Sequence, residues 1–341
     1  MRDLKLSILF VCRLIGVFRV ARWLTRNRLK ILCYHGFALG DEAEFRPKLF
    51  IKRARFEQRL ATLKAQGFQV LPLDEAIERL YSRSLPDDAV VITIDDGFHS
   101  VYRLAAPTLR AYGFPATIYV TTYYVDTPNP VFRLVVQYMF WRARRRELVL
   151  QGVPWCADKT VDLSYAESAE KAMWEFIAHG EQHCTEPQRK AMCEELGNLL
   201  GTSYDEIART RPMSLMSPNE LRELADAKLS VELHTHRHTF PQDAQDIAER
   251  EIADNRKALS QWFAGEKRHF CYPSGLFHER QHAWLDQMGV KSSVTCLPGL
   301  NSDTTPRHAL RRFLDGENIH RLEFEAALSG LTDLVGKWRG R

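Results

Sequence analysis

Residues Ala89 to Ile94 read Ala-Val-Val-Ile-Thr-Ile, six uncharged positions with no alternation of polar and apolar side chains. The run is too short for a helix, rich in β-branched residues, and has no solvent face. It is therefore a strand covered on both sides. Such strands belong to parallel sheets, where each neighbour must arrive through a crossover, usually helical and right-handed. The flanking sequence supplies these crossovers. Leu29 to Tyr34 is a short apolar strand. Arg53 to Gln66 has helical periodicity, with Gly67 at the C-cap position. Phe68–Leu71 is predicted as a strand, Asp74–Tyr81 as a helix, Phe98–Tyr112 as a helix ended by Gly113, and Ala116–Val120 as a strand. The breaker cluster Asp126-Thr127-Pro128-Asn129-Pro130 interrupts the rhythm. Beyond it, Val131–Leu150 and Ala166–Arg209 are predicted helical. The alternation resumes at Ser217-Pro218-Asn219-Glu220, a capping box with Pro at the first helical position, and that helix is expected to reach Ala227. Strands at Leu229–Leu233, Arg268–Tyr272 and Val290–Thr295 follow, separated by helices at Asp246–Phe263 and Glu279–Met288. The pattern predicts one parallel α/β unit over 29–341, carrying a mostly helical insertion near 126–215. The number of strands favours barrel-like closure, although an open sheet satisfies the same pattern.

Composition narrows the function classes. A net charge of +4 over 341 residues is too mild for a nucleic-acid binder. The seven cysteines are scattered and contain no Cys-x-x-Cys, which argues against a disulfide scaffold and a thiolate zinc site and fits a reducing compartment. The first 28 residues form a separate amphipathic helical segment. Leu4, Ile8, Val11, Ile15 and Phe18 share one helical face, with the arginines largely elsewhere. The apolar stretch is too short to span a bilayer and lacks a small-residue cleavage site. Two readings follow: a cationic helix lying on a membrane surface, or a terminal helix packed on the body. The expected location is cytoplasmic or peripheral at the inner membrane surface. The basic run Arg142-Ala143-Arg144-Arg145-Arg146 is expected to be a solvated helix face rather than a site for an anionic glycan or lipid.

In parallel α/β folds, ligands bind at the carboxyl ends of the strands. Each chemically suggestive cluster sits at such an end. Asp95-Asp96-Gly97 follows the Ala89–Ile94 strand, and His234-Thr235-His236-Arg237-His238 follows Leu229–Leu233. Tyr34-His35-Gly36 follows the first strand, and Tyr272-Pro273-Ser274-Gly275 follows the strand through Phe270. One carboxylate and two imidazoles can hold a divalent ion while the second carboxylate accepts a proton from water. Alone, Asp-Asp-Gly is equally a turn that caps the helix after it. His234 and His238 are one helical turn apart, a spacing that serves one metal. His236 is a competing ligand if the segment is extended.

Taken together and in order, these motifs resemble the polysaccharide deacetylases, the family sharing the NodB homology domain. Thr93-Ile94-Asp95-Asp96-Gly97 is similar to its first motif and His234-Thr235-x-x-His238 to its second. Phe270-Cys271-Tyr272-Pro273-Ser274-Gly275 resembles the Phe-x-Tyr-Pro-x-Gly form of its third. Ile31-Leu32-Cys33-Tyr34-His35-Gly36 is similar to the opening strand of its Tyr-His subgroup, and Leu310-Arg311-Arg312-Phe313 to a late Leu-Pro-Arg-Ile segment. The resemblance covers 30–122 and 215–313. It implies a distorted (β/α) barrel and a divalent ion, Zn²⁺ or else Co, Ni, Fe or Mn, on Asp96, His234 and His238. It implies Asp95 as general base, with Tyr272, Pro273 and Ser274 on the substrate. The implied reaction removes an N- or O-acetyl group from a poly- or oligosaccharide, in exopolysaccharide or cell-envelope metabolism. Alternatives are a deformylase or deacetylase of a lipid-linked sugar and an inactive glycan binder. The chain departs from the family in two places. The third motif lacks the arginine that orients the base, and Arg312 is the substitute. The late motif with the general-acid histidine is not recognisable, leaving His35, His308 and His320, of which His35 is placed best.

Overall fold

The computed structural model describes residues 2–127, 129–143, 146–153, 155, 158–224 and 228–339. Pro128, Arg144, Arg145 and Cys156, and the predicted helix end at Ala227, lie outside them.

Seven parallel strands form the main sheet in the order Ser292–Val294, His269–Cys271, Leu229–Leu233, Ala116–Val120, Ala89–Ile94, Lys30–Tyr34 and Phe313–Leu314. The two residues Gln69–Val70 pair with Ala89 and Val90. All six residues of Ala89–Ile94 are buried, as a strand with no polar face requires. The edges of the sheet approach one another through the segment before Phe313. Val294 bridges Leu310, the Leu310 amide donates to Ser293 and the Thr295 amide to Leu310. The sheet therefore curls into a distorted (β/α) barrel. Its interior is a single apolar cluster to which Ile31, Val91, Tyr119, Cys271, Val294 and Leu310 contribute from separate strands and the closing segment.

Several elements differ from expectation. The N-terminal segment is two helices, α1 (Arg2–Leu14) and α2 (Val17–Thr25), because Gly16 between them takes a left-handed φ of 82°. Phe18 consequently leaves the face of Leu4, Ile8, Val11 and Ile15: it is buried while they are exposed. The Phe98–Tyr112 helix contains a π-helical turn over Val101–Ala105. Pro107 cannot donate to the carbonyl four residues back and would clash with it, and widening the turn relieves both problems.

The chain divides into two compact units, 1–126 with 216–341, and 127–215. In the second unit the predicted Val131–Leu150 helix stops at Arg142, and Glu147–Leu150 instead pairs antiparallel with Lys159–Asp162. Leu148 and Leu150 are buried and Val149 exposed, the period of two that a strand imposes. The predicted Ala166–Arg209 helix is three helices, Ala166–His183, Glu186–Leu200 and Tyr204–Thr210. Thr185 and Gln188 make the capping box of the second, and Gly201 ends it in a left-handed conformation.

Candidate active site

Asp95 and Asp96 leave the buried Ala89–Ile94 strand in a turn whose backbone sends them different ways. The Asp95 amide still donates to the Tyr34 carbonyl of the neighbouring strand, so Asp95 is held in sheet register. Asp96 has a φ of 70° and Gly97 of 85°. A Cβ on Gly97 would also lie 3.0 Å from Val120, so the turn needs glycine for both conformation and space. Left-handed non-glycine residues recur in the loops after other strands, at Thr235, His238 and Ser274. Strain of this kind gathers where surrounding structure fixes functional side chains.

Asp96 meets two of the three histidines. Its Oδ1 lies 3.2 Å from His234 Nε2 and 3.5 Å from His238 Nε2. His234 is fixed twice over: its amide donates to Asn255 Oδ1 and its Nδ1 donates to the Cys271 carbonyl, 2.8 Å away. The second bond commits the Nδ1 proton and leaves Nε2 facing Asp96. Asn255 is anchored in turn on the Val120 carbonyl and Thr122 Oγ1. His236 turns away, pairing with Thr122 Oγ1 through Nδ1. Asp96, His234 and His238 bring their donor atoms within 4.8 Å of one another, as do Asp95, His234 and Cys271, and Cys33, His35 and Asp95, and His236 is in none of these groups. One carboxylate oxygen and two ring nitrogens crowded together require positive charge between them, from a proton or a cation. The donor set fits a divalent ion of the zinc class.

Asp95 faces a different set. Arg312 donates from both terminal nitrogens to its two oxygens at 2.7 Å, and both side chains are buried. Arg312 is itself pinned by the Thr295 carbonyl and Thr93 Oγ1. Burial opposes ionisation of Asp95, yet the Arg312 guanidinium holds its carboxyl well below the usual carboxylate range. The thiols of Cys271 and Cys33 lie 3.3 Å and 3.5 Å from Asp95 Oδ2. Neither cysteine was singled out from the sequence. The available signal was their place on strands that end at the site. His35 Nε2 is 3.7 Å from the same oxygen and half-buried.

The other named residues lie elsewhere. Tyr272 is buried against Phe240 and Phe270, and its hydroxyl donates to the His308 carbonyl. Pro273 is buried and Ser274 exposed. His308 is tied to Ser293 and Asp286, and His320 caps the Arg321–Leu328 helix. Among the histidines considered for proton donation, His35 alone lies beside Asp95.

A family profile described as polysaccharide deacetylase matches residues 82–293. The Bacillus subtilis (strain 168) protein YxkH, which carries a polysaccharide deacetylase name, is 23% identical over 291 residues, 84% of this chain and 70% of that protein. The poly-β-1,6-N-acetyl-D-glucosamine N-deacetylase of Escherichia coli (strain K12) is 32% identical over 89 residues, which is 26% of this chain and 13% of that enzyme. The Streptococcus pyogenes deacetylase PplD, solved with acetate, superposes with a TM-score of 0.59 at 17% identity, covering 88% of this chain and 98% of that one.

Proposed function

The chain belongs to the polysaccharide deacetylase family, hydrolases of the C–N bond in acetamido groups, and from that premise we propose that it is a metal-dependent N-deacetylase of an exopolysaccharide built from amino sugars. The observation that carries this reading is the adjacency of two carboxylates with opposite surroundings, Asp96 among imidazoles and Asp95 against Arg312. The substrate class rests on the stretch shared with the poly-β-1,6-N-acetyl-D-glucosamine N-deacetylase.

Asp96, His234 and His238 would hold the ion. When bound, a divalent ion supplies Lewis acidity toward the acyl carbonyl and lowers the pKa of water. Asp95 stays ionised because Arg312 faces it, so it can accept a proton from the attacking water. Arg312 does not reach solvent, so it would hold Asp95 rather than touch the sugar. His35, half-buried with its Nε2 3.7 Å from Asp95 Oδ2, would return a proton to the leaving amine. Ser274 is the exposed member of the third motif and offers a hydroxyl to the sugar. Water adds to the acyl carbon, the C–N bond breaks, and acetate and a free amine leave.

Purified protein is expected to carry about one divalent ion per chain by elemental analysis. Asp96→Ala and His238→Ala should lose it. On N-acetylglucosamine oligomers, Asp95→Asn should keep the ion and lose about 10²–10⁴-fold in acetate release. A parent that takes up no Zn²⁺, Co²⁺ or Ni²⁺ would overturn the mechanism. An ion-loaded parent that releases no acetate but binds the oligomer, with or without Asp95, would instead favour a glycan binder.

A further inference from the structure

The helical pair α1 and α2 is mounted with its apolar side outward. No residue of α1 is buried. Ile15 is 71%, Leu4 67% and Trp23 63% exposed, with Ile8, Val11 and Leu24 each above half. An ordinary surface helix does the reverse: Leu73–Tyr81 in this same unit buries Leu73, Ala76, Ile77 and Leu80. α2 buries Phe18, Ala21 and Thr25, and charge also faces the body. Lys5 pairs with Glu323 at 2.6 Å, Arg13 with Glu325 at 2.7 Å and Arg22 with Asp88 at 2.9 Å, while Arg2 donates to the Asn318 carbonyl. Ion pairs therefore brace the helices while their large aliphatic side chains stay in water. Scattered exposed hydrophobics need no explanation, but a continuous apolar face rimmed by cations does.

We propose that this face docks on the surface of an anionic lipid bilayer, with α1 and α2 lying in the interface. Charge selects lipid over a second copy of the chain. The first 28 residues hold seven basic residues and one acidic, whereas the remaining 313 hold 40 basic and 42 acidic. In the fold Lys5, Arg13, Arg22, Arg26 and Arg28 pair with Glu323, Glu325, Asp88, Asp87 and Asp333, and Arg2 and Arg19 have no carboxylate partner among the described residues. Two copies would bring their surplus cations together, while an anionic surface attracts them along with the apolar face. Arg19 is exposed and makes no ion pair among the described residues, and Arg26, paired with Asp87 at 3.0 Å, stacks over the Trp23 ring, 5.2 Å from its centroid. A tryptophan flanked by arginine suits the headgroup level. The 13 residues of α1 make a helix of about 20 Å, too short to cross a hydrocarbon core of about 30 Å. In-plane binding is the geometry left. The acetyl groups within reach would then belong to glycan lying next to the bilayer.

The test is flotation of the full chain with vesicles of phosphatidylglycerol and phosphatidylethanolamine, beside vesicles of phosphatidylcholine alone. Binding to the anionic vesicles is expected, weaker at high salt and on the neutral vesicles. The double variant Ile8→Glu/Ile15→Glu should lower partitioning at least about tenfold. Its unfolding midpoint and its acetate release from soluble oligomers should be unchanged, since neither residue lies near Asp95 or Asp96. A folded parent that ignores both vesicle types overturns the proposal. So does a double variant that floats like the parent, or a parent that is dimeric by light scattering and made monomeric by the double variant without ever floating. The metal and acetate measurements stand or fall separately from these.

Discussion

Arg312 and Asp95 form a two-pronged ion pair in which both side chains are buried. A pair of that kind contributes little net stability over an apolar replacement, but leaving one partner alone in the same place is expensive. Arg312→Met should therefore destabilise the protein by about 3–5 kcal/mol in urea unfolding. The double variant Asp95→Asn/Arg312→Met should recover part of that loss, because no uncompensated charge remains. A single variant as stable as the parent would show that the carboxylate finds another partner. At this scale the sequence revealed the residues whose chemistry demands a particular neighbour. Asp95, Asp96, His234 and His238 stand out because adjacent carboxylates and one-turn histidine spacing are informative without coordinates. Arg312 was named through the resemblance, as a substitute for the arginine that the third motif lacks, and its two bonds to Asp95 needed the closing segment of the barrel to be seen. The thiols of Cys33 and Cys271 beside Asp95 were hidden, since only strand register decides which way a side chain in a fully buried strand points. Tyr272 illustrates the opposite case: its motif suggests substrate, while its burial among Phe240 and Phe270 gives it a packing role.

The first strand begins with a buried lysine, and its charge marks how one element joins the next. Lys30 is 3% exposed, 3.7 Å from Asp88 Oδ1 and donates to the Arg28 carbonyl. Burial lowers its pKa from the ordinary 10.5 to about 8, against the pull of Asp88. Between about pH 8 and 10.5 the unfolded chain therefore keeps a proton that the folded chain has released. Stability rises with pH across that window, by up to about 3 kcal/mol, and the cost is fully present below it. Lys30→Met should raise the urea midpoint at pH 7.5 and flatten the change between pH 7.5 and 10.5 relative to the parent. Equal slopes in both proteins would mean the ammonium is solvated in the folded state. Elements were legible where apolar periodicity and a stop signal agreed, as at Ala89–Ile94 or Asp246–Phe263. They were misread where one periodicity ran into another. Glu147–Leu150 continues the apolar content of the preceding helix, so only the alternation of Leu148, Val149 and Leu150 distinguishes it as a strand. The Gly16 break is a similar miss, because a lone glycine in a helical pattern is usually tolerated and here ends the helix.

For the whole molecule, the interruption of the α/β rhythm falls between two strands that are direct neighbours. Ala116–Val120 and Leu229–Leu233 pair at five successive positions, although residues 127–215 lie between them in the chain. The barrel register is thus complete without the insertion. The chain also leaves and returns at one place: the Thr121 amide donates to the Asp96 carbonyl and the Met216 amide to the carbonyl of the next residue, Gly97. The parallel sheet was readable because strands buried on both faces are rare outside it. The curl was expected from the strand count and the resemblance, but the segment that closes it was not, because its strand, Phe313–Leu314, is only two residues long. Replacing Thr127–Leu215 by a short Gly/Ser linker should give a protein that melts cooperatively and still takes up about one divalent ion, since Asp95 through His238 keep their supports. Thr121 and Met216 bond adjacent residues of one turn, so the gap to close is short, and the closure cost rises only slowly with linker length. Acetate release from a short oligomer should then survive, and any loss should be concentrated in KM for long polymer. Loss of both the ion and the cooperative melt, in a variant that remains monodisperse, would mean that the insertion is part of the core the barrel needs.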